Sequence, residues 1–310
     1  MAGHVHVPEP HHEVQDTHEW AFFENLFEEP VVLPLPSFEL FGHPFVLTKF
    51  MILQLLAALI VILIYVPLAR RIKNGGLPTG RWWNMFEGLL TFIRDQVARP
   101  NLDSHHAHAH DHGHQHGHHH VEHHEADKYV PFLWTLFLFV LFCNVLGMIP
   151  LLGSPTASIW VTAGLALIAF VMMHGAPIAK VGPLNYFKSL WPKLDMPPGL
   201  VFKVMGVMFT IGIGLIEIMG TFIKTGVLAV RLFANMFAGH LVLANIMLFI
   251  ILVGNSFGTG FFWGGVTLAS IIGVIALSLL ELFVACLQAY IFTFLTALFM
   301  GMSLHHAEQH

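Results

Sequence analysis

Two apolar runs, from about Gly199 to Gly254 and from about Phe261 to Ser303, are each far longer than the roughly 20 residues that carry a helix straight across a bilayer. Each must therefore be steeply tilted, bent or split, and the short stretch Asn255–Gly260 makes the two a hairpin. Three shorter runs precede them, at roughly 47–69, 130–152 and 156–174. Composition agrees, because 55% of the 310 residues are hydrophobic and only 11% are charged, whereas a soluble domain carries about 25% charged residues. The expected fold is an all-α polytopic membrane protein with five spanning units, the last two long and tilted.

Lys and Arg in the short loops set the expected orientation. Arg70, Arg71, Lys73, Arg81, Arg94, Arg99 and Lys128 fall between spans one and two, and Lys180, Lys188 and Lys193 between spans three and four. Residues 1–46 carry none. The basic loops are expected in the cytoplasm, with the N-terminus outside and, by counting spans, the C-terminus inside. The expected organisation is an acidic, His/Pro-rich external segment 1–44, a membrane domain 45–304 holding a His-rich insert at 104–125, and a tail 305–310. The external segment lacks the basic and apolar regions of a cleavable signal peptide. Within Arg81–Arg99, Trp82, Phe86, Leu89, Leu90, Ile93 and Val97 recur at helical spacing. That pattern fits an amphipathic helix lying in the membrane interface and equally a loop helix packed on the protein itself. Cys143 and Cys286 both sit in apolar runs, which supports neither a disulfide framework nor a thiolate metal site.

Ionisable groups at bilayer depth are costly, and they mark pathways when they occur. Glu217, Lys224 and Arg231 are spaced by seven, which places them on one stripe of the fourth unit with about 20° of drift per step. Asn235 and Asn245 fall near that stripe, and His240 faces another way. On the fifth unit Glu281 and Gln288 are seven apart and share a face. Because the hairpin reverses direction, His240 and Glu281 are both displaced toward the exterior, with Glu217 on the cytoplasmic side. A permanently charged guanidinium would then stand between two proton-accessible regions. Glu217 could instead pair with Lys224 or snorkel to the interface. Arg231 has no acid within one turn, so its partner is expected on another chain.

These residues lie in motifs. Arg231-Leu-Phe-Ala-Asn-Met-Phe-Ala-Gly-His240, Leu287-Gln-Ala-Tyr-Ile-Phe-Thr-Phe-Leu-Thr-Ala-Leu298 and Asn144-Val-Leu-Gly-Met-Ile-Pro150 closely resemble those of subunit a of the F-type ATP synthases, over nearly everything from Phe41 to Met302. The resemblance implies that Arg231 is the essential stator arginine facing the carboxylate of the rotating c-ring, with Gln288 beside it. It implies that His240 and Glu281 form the polar pair of the external half-channel, in swapped order relative to some members, and that Glu217 belongs to the cytoplasmic side. Asn235, Asn245 and Lys224 would flank the proton path. It further implies a bacterial plasma (inner) membrane location and, as partners, the c-subunit ring, the peripheral-stalk b subunits, the other synthase subunits and the bilayer, with no nucleic acid. The choice between H⁺ and Na⁺ would rest mostly on the c-ring, with H⁺ the default. With no phosphate-binding glycine loop, the chain is expected to bind no cofactor and to carry no ATP site, acting as one component of the proton-transporting two-sector ATPase.

The resemblance leaves the His-rich insert unexplained. Of the 23 histidines, 12 lie between His105 and His124, among them His105, His106, His108, His110, His112, His114 and His116. Such density suits weak transition-metal binding or a solvated linker. A zinc transporter with a His-rich loop is the rival reading, but it would need carboxylate and imidazole ligands clustered on its spans, where Lys224 and Arg231 would repel a divalent cation. A membrane protease would need a nucleophile and base, or a HExxH pair, and the spans hold neither.

Overall fold

The computed structural model describes residues 19–22, 31–34, 37–40, 43–46, 48–73, 80–103, 125–149, 153–189, 200–257 and 260–308. The seven histidines named above as metal-ligand candidates lie outside the described residues.

Among the described residues five helices are long and apolar enough to cross a membrane, so the helical membrane architecture stands. They are α1 (Lys49–Lys73), α4 (Val130–Gly147), α5 (Ile159–Val181), α7 (Leu200–Phe257) and α8 (Phe261–Glu308). Three shorter helices join them: α2 (Arg81–Phe92), α3 (Arg99–Leu102) and α6 (Pro183–Ser189). Ahead of the helices, β1 (Glu19–Phe22) pairs antiparallel with β2 (Val31–Pro34), and β3 (Ser37–Leu40) with β4 (His43–Val46). Those strand pairs were not expected from so acidic and Pro-rich a segment, although Trp, Phe and Val, which favour strands, are concentrated in them.

Of the three options for the long runs, splitting is excluded. α7 is one helix of 58 residues and α8 one of 48, about 87 and 72 Å long at 1.5 Å per residue. A hydrocarbon core of about 30 Å accepts such lengths only if they are steeply inclined. α4 stops at Gly147 rather than running on to 152, and α5 continues to Val181 rather than ending near 174, through Pro177.

The chain forms two compact units, each assembled from separated stretches. One comprises Met1–Pro67, Leu138–Thr162 and Val230–Ala289, and the other Leu68–Phe137, Ala163–Ala229 and Tyr290–His310. In the first unit, α7 and α8 run antiparallel: Gly254 lies against Trp263, Gly239 against Glu281, and Met236 shares a fully buried cluster with Ala285 and Ala157. Small residues at these crossings let helix backbones approach closely. Ala57 of α1 packs with Cys143 and Leu146 of α4.

In the second unit the amphipathic stretch divides in two. Trp82 and Met85 of α2 are 74% and 53% exposed, whereas Ile93, Val97, Ala98 and Leu102 are buried, so the second half packs on the protein itself and the first half leaves apolar side chains uncovered. The halves meet at a π-turn, Ile93–Ala98. At its start the Trp134 indole N–H donates to the Leu90 carbonyl (2.8 Å), and beyond it the Asn101 amide donates to the Val97 carbonyl (2.7 Å). Phe92 meets the ring of Tyr290 at 5.8 Å, and Gly301 of α8 lies directly on the Asn101 carbonyl.

Candidate functional site

In the first unit, Glu281 and Gln288 lie on the buried face of α8, aligned with Ala285 as their spacing required. Across from them on α7, Leu232 and Met236 are fully buried. Arg231, one position from Leu232, is exposed and makes no ion pair or side-chain hydrogen bond among the described residues.

Four of the expected site residues carry a buried polar atom with no hydrogen-bond partner among the described residues: Asn235 Nδ2, His240 Nε2, Glu281 Oε1 and Gln288 Nε2. Leaving such groups dry costs on the order of several kcal/mol each, so all four, on α7 and α8 of one unit, call for a polar partner such as water. Gly239 backs directly onto the Glu281 carboxyl, and the next residue along α7, His240, is half-buried, with no hydrogen bond joining it to Glu281 among the described residues. Lys49, buried at the first turn of α1, is close enough to His240 to act on it electrostatically.

A buried network supports this face from behind. The Asn144 amide donates to the Ala285 carbonyl (3.2 Å), midway between Glu281 and Gln288. Its side-chain oxygen accepts from the Thr156 hydroxyl (2.8 Å), which lies 3.0 Å from the Ser154 hydroxyl. Asn144 and Thr156 are fully buried.

Glu217 belongs to the other unit. It is exposed and forms no ion pair with Lys224 among the described residues. Lys224 lies over the Phe299 ring at 5.4 Å. Near Glu217, and not anticipated from the sequence, stand His174 of α5 and Tyr186 of α6, joined by a short Nδ1–hydroxyl hydrogen bond. Glu217 acts electrostatically on both. The only hint was that His174 is the one imidazole in the third apolar run. Asn245 stands apart: it is exposed and its amide donates to the Leu241 carbonyl of its own helix (2.7 Å). Among the described residues no group of three or more His, Cys, Asp or Glu is placed to hold a metal ion.

The protein-family model described as ATP synthase A chain matches residues 114–301. The chain is similar to ATP synthase subunit a of Myxococcus xanthus, 34% identical over 267 residues, which is 85% of this chain and 76% of the relative. It is also similar to ATP synthase subunit a of Chloroherpeton thalassium, 32% identical over 301 residues, covering 96% of this chain and 77% of the relative. A third relative, ATP synthase subunit a of Anaeromyxobacter dehalogenans, is 34% identical over 264 residues, 85% of this chain but 59% of its own greater length.

Proposed function

The chain belongs to the ATP synthase A chain family, and on that premise we propose that it supplies two offset half-channels to the carboxylate of a rotating c-ring, separated electrically by Arg231. The observation that carries this reading is Arg231 itself, an exposed guanidinium with no partner among the described residues, on the helix that also bears Glu217 and His240.

A proton enters by way of His240 and Glu281, where the unpaired polar atoms of Asn235 and Gln288 can order water. It neutralises a ring carboxylate, which can then face lipid without the penalty of a bare charge. After rotation the proton leaves on the Glu217 side. Arg231 attracts the deprotonated carboxylate through a charge-assisted contact and, being permanently protonated, cannot pass a proton across. Lys224 and Asn245 take flanking positions, Lys224 held over Phe299 and Asn245 on its own backbone. The basic loops lie in the cytoplasm, the N-terminus outside and the C-terminus inside a bacterial plasma membrane, with the peripheral-stalk b subunits as further partners.

The test is ATP-driven acidification of inverted vesicles containing the whole complex. Arg231→Ala is expected to abolish it while the complex still assembles. Normal pumping by that variant would overturn the assignment.

A further inference from the structure

We propose that His174, hydrogen-bonded to Tyr186, is a second proton-holding group on the Glu217 side, so that this side works as an imidazole–carboxylate pair just as His240 and Glu281 do on the other. The inference rests on the half-channel reading and adds residues that no motif of the sequence pointed to.

Local structure builds the pair. Gly182 ends α5 with φ 89°, a left-handed conformation that suits glycine, and its N–H caps the Ile178 carbonyl (2.9 Å). That turn sends α6 back along α5, where Tyr186, only 6% exposed, meets His174. Phe170 packs edge-on against the imidazole at 4.5 Å and stacks on Phe222 of α7 at 5.4 Å, close along the helix to Glu217. Among the described residues, the titratable groups acting on His174 are therefore Tyr186 from α6 and Glu217 from α7, while α5 itself contributes the apolar Phe170.

The chemistry follows from the hydrogen bond. Burial, and then the Glu217 carboxylate, hold the Tyr186 phenol above its usual range, so it remains an O–H donor at neutral pH. Donation to Nδ1 leaves the proton of the neutral ring on Nε2, a buried atom with no partner among the described residues. When Glu217 arrives protonated, its proton reaches the phenol oxygen through water as the phenol hydrogen passes to Nδ1. A carboxylate and an imidazolium result, and Nε2–H then releases its proton to water. The phenol is regenerated in the same step, while the ring is left as the Nδ1–H tautomer; exchange of its ring protons with water restores the starting Nε2–H form before the next proton, and no other reactant is consumed.

The experiment is the pH profile of ATP-driven acidification by the whole complex, between about pH 5 and pH 8, which brackets the titration of an imidazole. His174→Gln is expected to slow acidification by roughly tenfold or more and to remove one step of the profile. Tyr186→Phe, which keeps the ring and deletes only the hydroxyl, is expected to shift the same step. Phe170→Leu loosens the packing against the imidazole but removes neither the imidazole nor its hydrogen bond to Tyr186, and is expected to keep the titration step in the profile. An unaltered profile in both His174→Gln and Tyr186→Phe, or an equal change in Phe170→Leu, would overturn the proposal. Arg231→Ala separates the two levels: if it still pumps, the half-channel reading itself fails, and if it is inactive while His174→Gln keeps the wild-type profile, only this inference fails.

Discussion

A hydrogen atom decides the geometry at position 239. A Cβ there would stand 2.8 Å from Cδ and 3.3 Å from Cγ of Glu281, so any side chain must push the carboxyl aside. The backbones cannot part instead, because Met236 and Ala285 are fully buried nearby and the Asn144 amide holds the Ala285 carbonyl. Overpacking in a rigid core costs about 1–3 kcal/mol, but the end of a Glu side chain rotates, so the effect should fall on function more than on stability. Gly239→Ala is expected to leave assembly intact and to slow ATP-driven acidification severalfold; a wild-type rate would show that the contact does not matter. The seven-residue spacing of Glu281 and Gln288 could be read from helical periodicity alone, and both did fall on one buried face. Gly239 could not be read that way, since its role depends on which residue of a different helix stands opposite. His174 and Tyr186 were hidden for a related reason: their meeting depends on the left-handed turn at Gly182, and spacing along one helix carries no trace of it.

Among the elements, α7 and α8 followed directly from the length of their apolar runs, and only their continuity had to be seen. The amphipathic stretch was harder. Its period is helical throughout, yet the π-turn at Ile93–Ala98 falls where tertiary partners take hold, and such turns answer to packing rather than to propensity. The partner on α8 is Gly301, where a Cβ would collide with the backbone carbonyl of Asn101, an atom that no side-chain rotation can move away. Gly301→Ala is therefore expected to destabilise the solubilised complex by about 1–3 kcal/mol, measured as a lower midpoint of thermal dissociation in detergent. An unchanged midpoint would mean that α3 can slide freely along α8. The β1–β2 and β3–β4 pairs escaped notice because acidic residues and prolines dominate that segment's composition and mask short runs of strand-forming residues.

For the whole molecule, the His-rich insert is bracketed by a clasp. The Ala126 N–H donates to Asp103 Oδ1 (3.0 Å), and the Arg99 guanidinium bridges to Asp127 (3.2 Å). The chain thus returns to within hydrogen-bonding distance of where it left, and closing that loop depends only weakly on its length, at about 0.6 kcal/mol per doubling. Replacing residues 104–124 by a short flexible linker is expected to keep ATP-driven acidification within about twofold of wild type, since a closed clasp transmits little strain. Lost pumping would instead assign the insert a working role. The two units raise a matter of timing. Each draws on stretches far apart in sequence, and each ends on α8, one at Ala289 and the other with the stretch from Tyr290 onward. A ribosome that has delivered everything as far as α7 has therefore completed neither unit. Until α8 enters the bilayer, Met236 lacks Ala285, against which it packs, and Asn144 lacks the carbonyl it holds. The final helix acts as the closing stitch of both units, so a nascent chain halted before it offers quality-control proteases two open seams at once.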